Sequence, residues 1–200
     1  MSGDDEATAG DISHIAVNKG GLSALMAGQS GIKTRGPAPV HLWNPPYCGE
    51  IDIRIAADGT WYHEGARIGR MPLVKLFASI LRRDPERHVL VTPAECVGIV
   101  VEDAPFLAVE MRVEGKDAAQ VLHLRTNVDD WVRVDGDHPL SFAEDAHGGL
   151  KPYVLVRGGL LARLTRALTH DLAELAEERE GRWFVQSAGA AFALEAAPAR

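Results

Sequence analysis

Four arginines stand where a strand turns or ends. Arg54 and Arg125 each sit a few residues ahead of an aspartate-containing turn, and Arg70 and Arg157 each stand beside glycine. Gly69-Arg70 and Arg157-Gly158-Gly159 both precede stretches read as helix. Free backbone N–H groups at a helix start, with a guanidinium alongside, suit an anion. Glycine also serves a strand-to-helix junction for its own sake, so neither place stands alone. The four arginines taken together point to an anion pocket. Hydrolysis of a phosphorylated molecule would need a base nearby, and Glu95 and Asp129 are the candidates.

Other chemistries find less support. The eight histidines form no His-x-His or His-Glu-x-x-His, and there is no Cys-x-x-Cys, so no metal is expected. No Gly-x-Ser-x-Gly elbow, Walker loop or Gly-x-Gly-x-x-Gly occurs. Cys48 beside a strand reads as a small hydrophobe rather than a catalytic thiol, and Glu50 with Asp52 reads as a solvated strand face. Trp43-Asn44-Pro45-Pro46-Tyr47-Cys48-Gly49 is a stiff strap suited to packing over a sheet edge, though its aromatic faces could also stack on a base or sugar.

These residues need a body to hold them. The chain has 200 residues, 46% hydrophobic and 24% charged, with a net charge of −7. That is an ordinary globular composition whose acidity disfavours duplex nucleic acid or an anionic membrane as partner. No apolar run approaches the roughly 20 residues of a bilayer span. The acidic N-terminus is unlike a signal peptide, and two cysteines make no disulfide framework, so a cytoplasmic location is expected.

Residues 1–40 read as a tail, a short helix at 18–27 with Leu22, Leu25 and Met26 on one face, and a Gly/Pro-rich linker. Ile51, Ile53 and Ile55 alternate with polar residues in a strand that turns at Asp58-Gly59 towards Trp61. Leu73, Leu76, Phe77, Ile80 and Leu81 predict a helix from Pro72 that carries Arg82 and Arg83 in its last turn. Strands follow at 88–92, 96–102, 106–114, 119–126, 131–134, 139–142 and 153–156. A leucine-rich helix is then predicted from Gly158-Gly159 through Leu175, and a short strand near 183–186 precedes a loose tail. The run from Asp58, Trp61 and Gly65 to Val89-Leu90-Val91 echoes the run from Asp129, Trp131 and Gly136 to Val154-Leu155-Val156. The expected fold is α+β, with two similar antiparallel-sheet-plus-helix units from an internal duplication. They span 41–103 and 104–182, with 183–200 as a C-terminal tail, and a ligand is expected in the cleft between them.

The residues also resemble the bacterial family known as domain of unknown function 1285. The resemblance lies in Trp43-Asn44-Pro45 with Cys48-Gly49, Ile51 to Ile55, Asp58 to Trp61, Ile68-Gly69-Arg70, Leu73 to Phe77, Ile80-Leu81-Arg82, Val89 to Pro93 with Glu95, Ala104-Pro105-Phe106, Asn127, and Tyr153 to Leu160 with the helix that follows. It covers roughly residues 40 to 176. The resemblance implies a duplicated α+β core, a second half superficially like pleckstrin-homology folds, a nucleotide-like ligand in the cleft and a signalling role, but no assigned reaction. Trp43, Asn44, Arg54, Arg70, Thr92, Glu95, Asn127, Tyr153 and Arg157 are the positions it carries over as cleft residues, and Arg125 joins them from the echo. The leading expectation is a protein that binds a small anionic ligand without a cofactor, with Trp43, Trp61 or Tyr153 stacking on a ring. A hydrolase and a protein–protein adaptor docking through a sheet edge or the leucine helix are the alternatives.

Overall fold

The computed structural model describes residues 37–145 and 147–196. The helix expected at 18–27 and the linker up to residue 36 lie outside them. The first unit runs β1 (Tyr47–Ile55), β2 (Trp61–His63), β3 (Ala66–Arg67), α1 (Met71–Ser79), β4 (Leu81–Arg83), β5 (His88–Val91) and β6 (Cys96–Val101). The second runs β7 (Phe106–Glu114), β8 (Val121–Thr126), β9 (Trp131–Arg133), β10 (Leu140–Glu144), β11 (Leu150–Arg157), β12 (Leu160–Leu164) and α2 (Arg166–Glu174).

The strand order is β3-β2-β1-β6-β5-β4 in one sheet and β9-β8-β7-β12-β11-β10 in the other. Adding six to each strand number of the first sheet gives the second, so the two halves share one topology. Each sheet is mixed rather than wholly antiparallel, because β1 pairs with β6 and β7 with β12 in parallel at its centre. A parallel pair needs a long crossover, which the intervening strands supply. The repeat is one strand out of step with the echo read from sequence. By topology the Asp58-Gly59 hairpin matches the β7–β8 hairpin, and the Asp129 turn between β8 and β9 matches the turn between β2 and β3. Arg54 and Arg125 are therefore not equivalent, whereas β5 and β11, which carry the two Val-Leu-Val runs, are.

Two helices differ from expectation. α1 ends at Ser79, whose hydroxyl donates to the Leu76 carbonyl. Arg82 and Arg83 lie not in a helix turn but on β4, paired with Val89 and His88 of β5. Leu160 to Leu164 form a strand, and helix begins only after Thr165, whose side-chain oxygen accepts the Leu168 N–H. Gly158 and Gly159, with φ of 48° and 79°, make a two-residue hairpin turn of the kind that needs left-handed backbone at both positions. The strand expected near 183–186 is β14 (Arg182–Ser187), and it forms a third sheet with β13 (Glu177–Arg179) before it and β15 (Ala190–Ala193) in the stretch expected to be loose. The buried Ser187 hydroxyl ties it to the second unit, donating to the Val134 carbonyl at 2.6 Å and accepting the Leu122 N–H at 2.9 Å.

One contiguous apolar core serves both units. Ile53, Ile55, Trp61, Phe77, Leu81 and Leu90 from the first belong to the same cluster as Phe106, Leu122, Leu124, Val154, Leu160 and Leu172 from the second. The leucines proposed for adaptor docking are largely used here, with Leu164, Leu168 and Leu172 all buried.

Close approach at the seam dictates Gly59. Its φ is +76°, and a Cβ there would stand 2.9 Å from Asn127 Nδ2 and 3.1 Å from Leu107 Cδ1. Gly59→Ala adds a left-handed penalty to a contact with the other unit, and is expected to destabilise the fold by about 2 kcal/mol. Urea unfolding should show a lower midpoint with an unchanged slope; a midpoint equal to that of the parent would contradict the contact.

Candidate functional site

Most of the seam is dry core, and space opens where α1 ends, β4 begins and the β11–β12 turn stands across from them. Residues 37–42 form one wall. Ala38 donates its N–H to the Ser79 carbonyl at 3.0 Å. Arg82 clamps the same segment from β4, donating to the carbonyls of Val40 at 3.2 Å and Trp43 at 2.7 Å. Arg82 also holds Asp84 through two nitrogens. Its guanidinium is thus taken up by protein partners.

Two cavities adjoin there and share Pro37 and Arg157. The smaller, about 230 Å³, is lined by Lys75, Ala78, Ser79, Val128, Asp129 and Asp130 as well. Its charges cancel. Lys75 donates to Asp129 at 2.6 Å and Arg157 to Asp130 at 2.9 Å. The larger, about 530 Å³, is walled by Ala38, Pro39, Val40, His41, Leu81 and Leu160, with Arg82, Arg83 and Arg157 bringing positive charge and no acidic residue in its lining among the described residues. Arg83 is exposed at the end of β4 and has no ion-pair partner among the described residues. Its side chain lies against the β11–β12 turn, with Cγ 3.4 Å from where a Gly159 Cβ would stand. His88 pairs with Arg83 in register. Burial, and then the Arg83 charge, bring the His88 pKa down to about 4, so it adds no charge at neutral pH.

Among the residues lining these cavities, Arg157 is the one of the ten expected site residues that is present. It also bridges the units. One terminal nitrogen holds Asp130 and the other donates to the Ala78 carbonyl at 2.8 Å, while the guanidinium lies over the Phe106 ring. Arg54 pairs with Glu102 and covers Tyr62 on the outer side of the first sheet. Arg125 is held by Glu110 and Asp129, each at 2.7 Å. Arg70 is exposed at the start of α1, and Asn44 is exposed in the strap.

The remaining expected residues do structural work. Trp43 packs against Val89, Val91 and Cys96. Thr92 is buried and its hydroxyl accepts the Glu95 N–H at 3.0 Å, which closes the turn between β5 and β6 where Glu95 sits half-buried. Asn127 accepts the Leu107 N–H at 3.1 Å. Tyr153 is buried and donates to Asp103 at 2.7 Å; burial, and then that bond, push its hydroxyl pKa well up. The Asp103 carboxylate meets Arg163 at 2.9 Å, and Arg163 in turn donates to the Ala57 carbonyl across the seam at 2.8 Å.

The proposed stacking residues Trp43, Trp61 and Tyr153 are therefore not in the lining, and neither is Glu95. Asp129 does line the smaller cavity, but the hydrogen bond from Lys75, and then that from Arg125, hold its carboxyl below the usual carboxylate range, which makes it a weak base. Sequence reading missed Lys75, Arg82, Arg83 and Asp130. The signal for Arg83 was present in the Arg82-Arg83 pair followed by Asp84-Pro85, a turn that suits a hairpin as well as a helix end. Among the described residues there is no cluster of three or more potential metal-binding side chains, and no helix long and apolar enough to cross a membrane.

Arg54 and Arg157 now separate cleanly. Arg54→Ala is expected to leave thermal stability and any ligand binding at the parent level, because its ion pair is solvent-screened and distant from the cavities. Arg157→Ala is expected to cost about 1–2 kcal/mol by orphaning Asp130 and the Ala78 carbonyl. Chemical denaturation of both variants checks the contrast, and a larger loss for Arg54→Ala would reverse it.

The comparisons with known proteins agree on one relationship. Residues 38–104 match the model described as the N-terminal domain of the domain of unknown function DUF1285, and residues 105–194 match the one described as the C-terminal domain of the protein of unknown function DUF1285. The chain is similar to the crystal structure of a DUF1285 family protein from Silicibacter pomeroyi DSS-3, at 47% identity and a TM-score of 0.82, covering 86% of this chain and 94% of that one. A DUF1285 family protein from Shewanella baltica OS155 is 26% identical with a TM-score of 0.49, covering 62% of this chain and 91% of that one. No curated protein matches the sequence.

Proposed function

The chain belongs to the DUF1285 family, and on that premise we propose that it is a binding protein that holds a small anionic molecule in the larger seam cavity. The observation that carries this reading is the charge balance of that cavity. Among the described residues its lining has three arginines and no carboxylate; Asp84 and Asp130 meet Arg82 and Arg157 from outside it, and Arg83 lacks an ion-pair partner. In a protein of net charge −7, an arginine left unpaired at the mouth of an apolar pocket is a local exception that favours an anion. The volume, about 530 Å³, is within the range of small-molecule sites.

A signalling role would follow from what occupancy does to the seam. The walls come from residues 37–42, β4 and the β11–β12 turn, so a bound molecule would touch both units at once. The pleckstrin-homology likeness of the second unit draws no support from this site and forms no part of the proposal. Hydrolysis has no activated base beside Arg83 to recommend it.

Melting of the purified protein against inorganic phosphate, AMP, ATP and simple carboxylates tests the reading. A ligand that binds the native state raises its stability, by about 2.7 kcal/mol at a hundred times its dissociation constant. The expected result is a rise in melting temperature with at least one of these anions that is largely lost in Arg83→Ala. Because Arg83 is exposed, the variant itself should melt with the parent. No shift with any anion, or the same shift in Arg83→Ala, would contradict the proposal.

A further inference from the structure

The walls of the larger cavity are more specific than its charge. Pro37, Ala38, Pro39 and Val40 present hydrocarbon over the buried Leu81 and Leu160, and the cations stand on β4 and at the end of β11. Among the described residues the lining includes no Trp, Tyr or Phe, and no Asp or Glu; its one aromatic ring is the His41 imidazole. A nucleoside would thus find only the small His41 imidazole on which to stack and, among the described residues, no carboxylate to receive ribose hydroxyls. The nearby Phe106 ring is already faced by the Arg157 guanidinium at 5.1 Å. The smaller cavity offers no alternative seat for an anionic head, because Lys75 and Arg157 are there neutralised by Asp129 and Asp130. A bare phosphate or acetate would leave most of about 530 Å³ unfilled.

We infer that the occupant is an aliphatic carboxylate with an unbranched chain of about eight to twelve carbons. The inference rests on the proposed use of this cavity as a ligand site. The carboxylate meets Arg83, whose guanidinium has no ion-pair partner among the described residues, while Arg157 stays with Asp130 and the Ala78 carbonyl. The chain lies along residues 37–40, whose partly exposed hydrocarbon it removes from water, over the buried Leu81 and Leu160. Arg82 contributes the wall rather than the bond, since Asp84 and the carbonyls of Val40 and Trp43 already hold it.

A chain-length series tests this on the whole protein. Calorimetric titration with acetate, hexanoate, octanoate and decanoate, all below micellar concentration, is run beside decanol, AMP and inorganic phosphate. Each added methylene is expected to tighten binding by about three- to fourfold until the cavity is filled. Arg83→Gln is expected to weaken decanoate about tenfold while leaving decanol unchanged. Ala38→Trp, which fills the cavity from the wall, should abolish the chain-length dependence; Arg83→Gln keeps the test valid if that variant does not fold. Chain-length-independent affinity would overturn the inference, as would decanoate binding that ignores Arg83. Arg83-dependent binding of AMP or phosphate without decanoate binding would overturn the aliphatic class and leave the anion-site reading standing. Binding of none of these probes would remove both.

Discussion

Each six-stranded sheet exposes an apolar face that its own unit does not cover, and the two units meet this need by sharing one core. Trp61 and Phe77 from the first and Phe106 and Leu160 from the second belong to the same buried cluster. Burial of that kind is proportional to the area removed from water and indifferent to direction. It brings the halves together but does not set their alignment. Alignment comes from polar contacts at the margin, where Arg157 and Arg163 of the second unit reach the carbonyls of Ala78 and Ala57 in the first. Each of those arginines also holds a carboxylate, Asp130 or Asp103. A half-buried guanidinium with both partners in place is fixed in direction, and loss of either partner leaves a charge poorly solvated.

The same economy of charge explains why unpaired positive charge at a cavity is confined to one end of the seam. Arg54, Arg82, Arg125, Arg157 and Arg163 all have acidic partners within the protein. The exception at the cavity is Arg83, on the short edge strand β4, where the β4–β5 hairpin leaves it beside His88 rather than beside a carboxylate. Residues 37–42 then roof the space instead of filling it, because Arg82 draws their carbonyls towards β4. A duplicated fold thus gives a closed junction over most of its length and an open, cationic, hydrocarbon-walled end.

Much of the strand content was legible because exposed strands alternate. Ile53 and Ile55 are buried while Asp52 is exposed, and Leu122 and Leu124 are buried between less buried neighbours on β8. The helix ends were not legible. Leu76 to Leu81 is nearly continuous in apolar residues, so periodicity alone cannot say where helix yields to strand; pairing of Leu81 with Leu90 decides it. Gly158-Gly159 carried its own signal, since two glycines between apolar runs mark a tight hairpin, and the leucine spacing beyond them concealed it. The duplication was visible but slipped by one strand, because a hairpin with aspartate in its turn and tryptophan after it looks the same wherever it falls in a sheet. The site was the least legible part. Thr92, Asn127 and Tyr153 are polar residues that close turns or tie strands, and sequence cannot distinguish such a role from binding. Arg83 looked like a helix-end cation until its strand placed it at the cavity.

Native-state hydrogen exchange in rising denaturant tests the shared core most directly. Amides of Val89–Val91 on β5 and of Leu122–Leu124 on β8 lie in different units, and exchange through global opening reports the stability of each. If the two sheets depend on one core, both sets are expected to merge into a single isotherm with one free energy and one slope. Two isotherms, with β5 and β8 opening at separate stabilities, would contradict a common core and with it the seam on which the cavity depends.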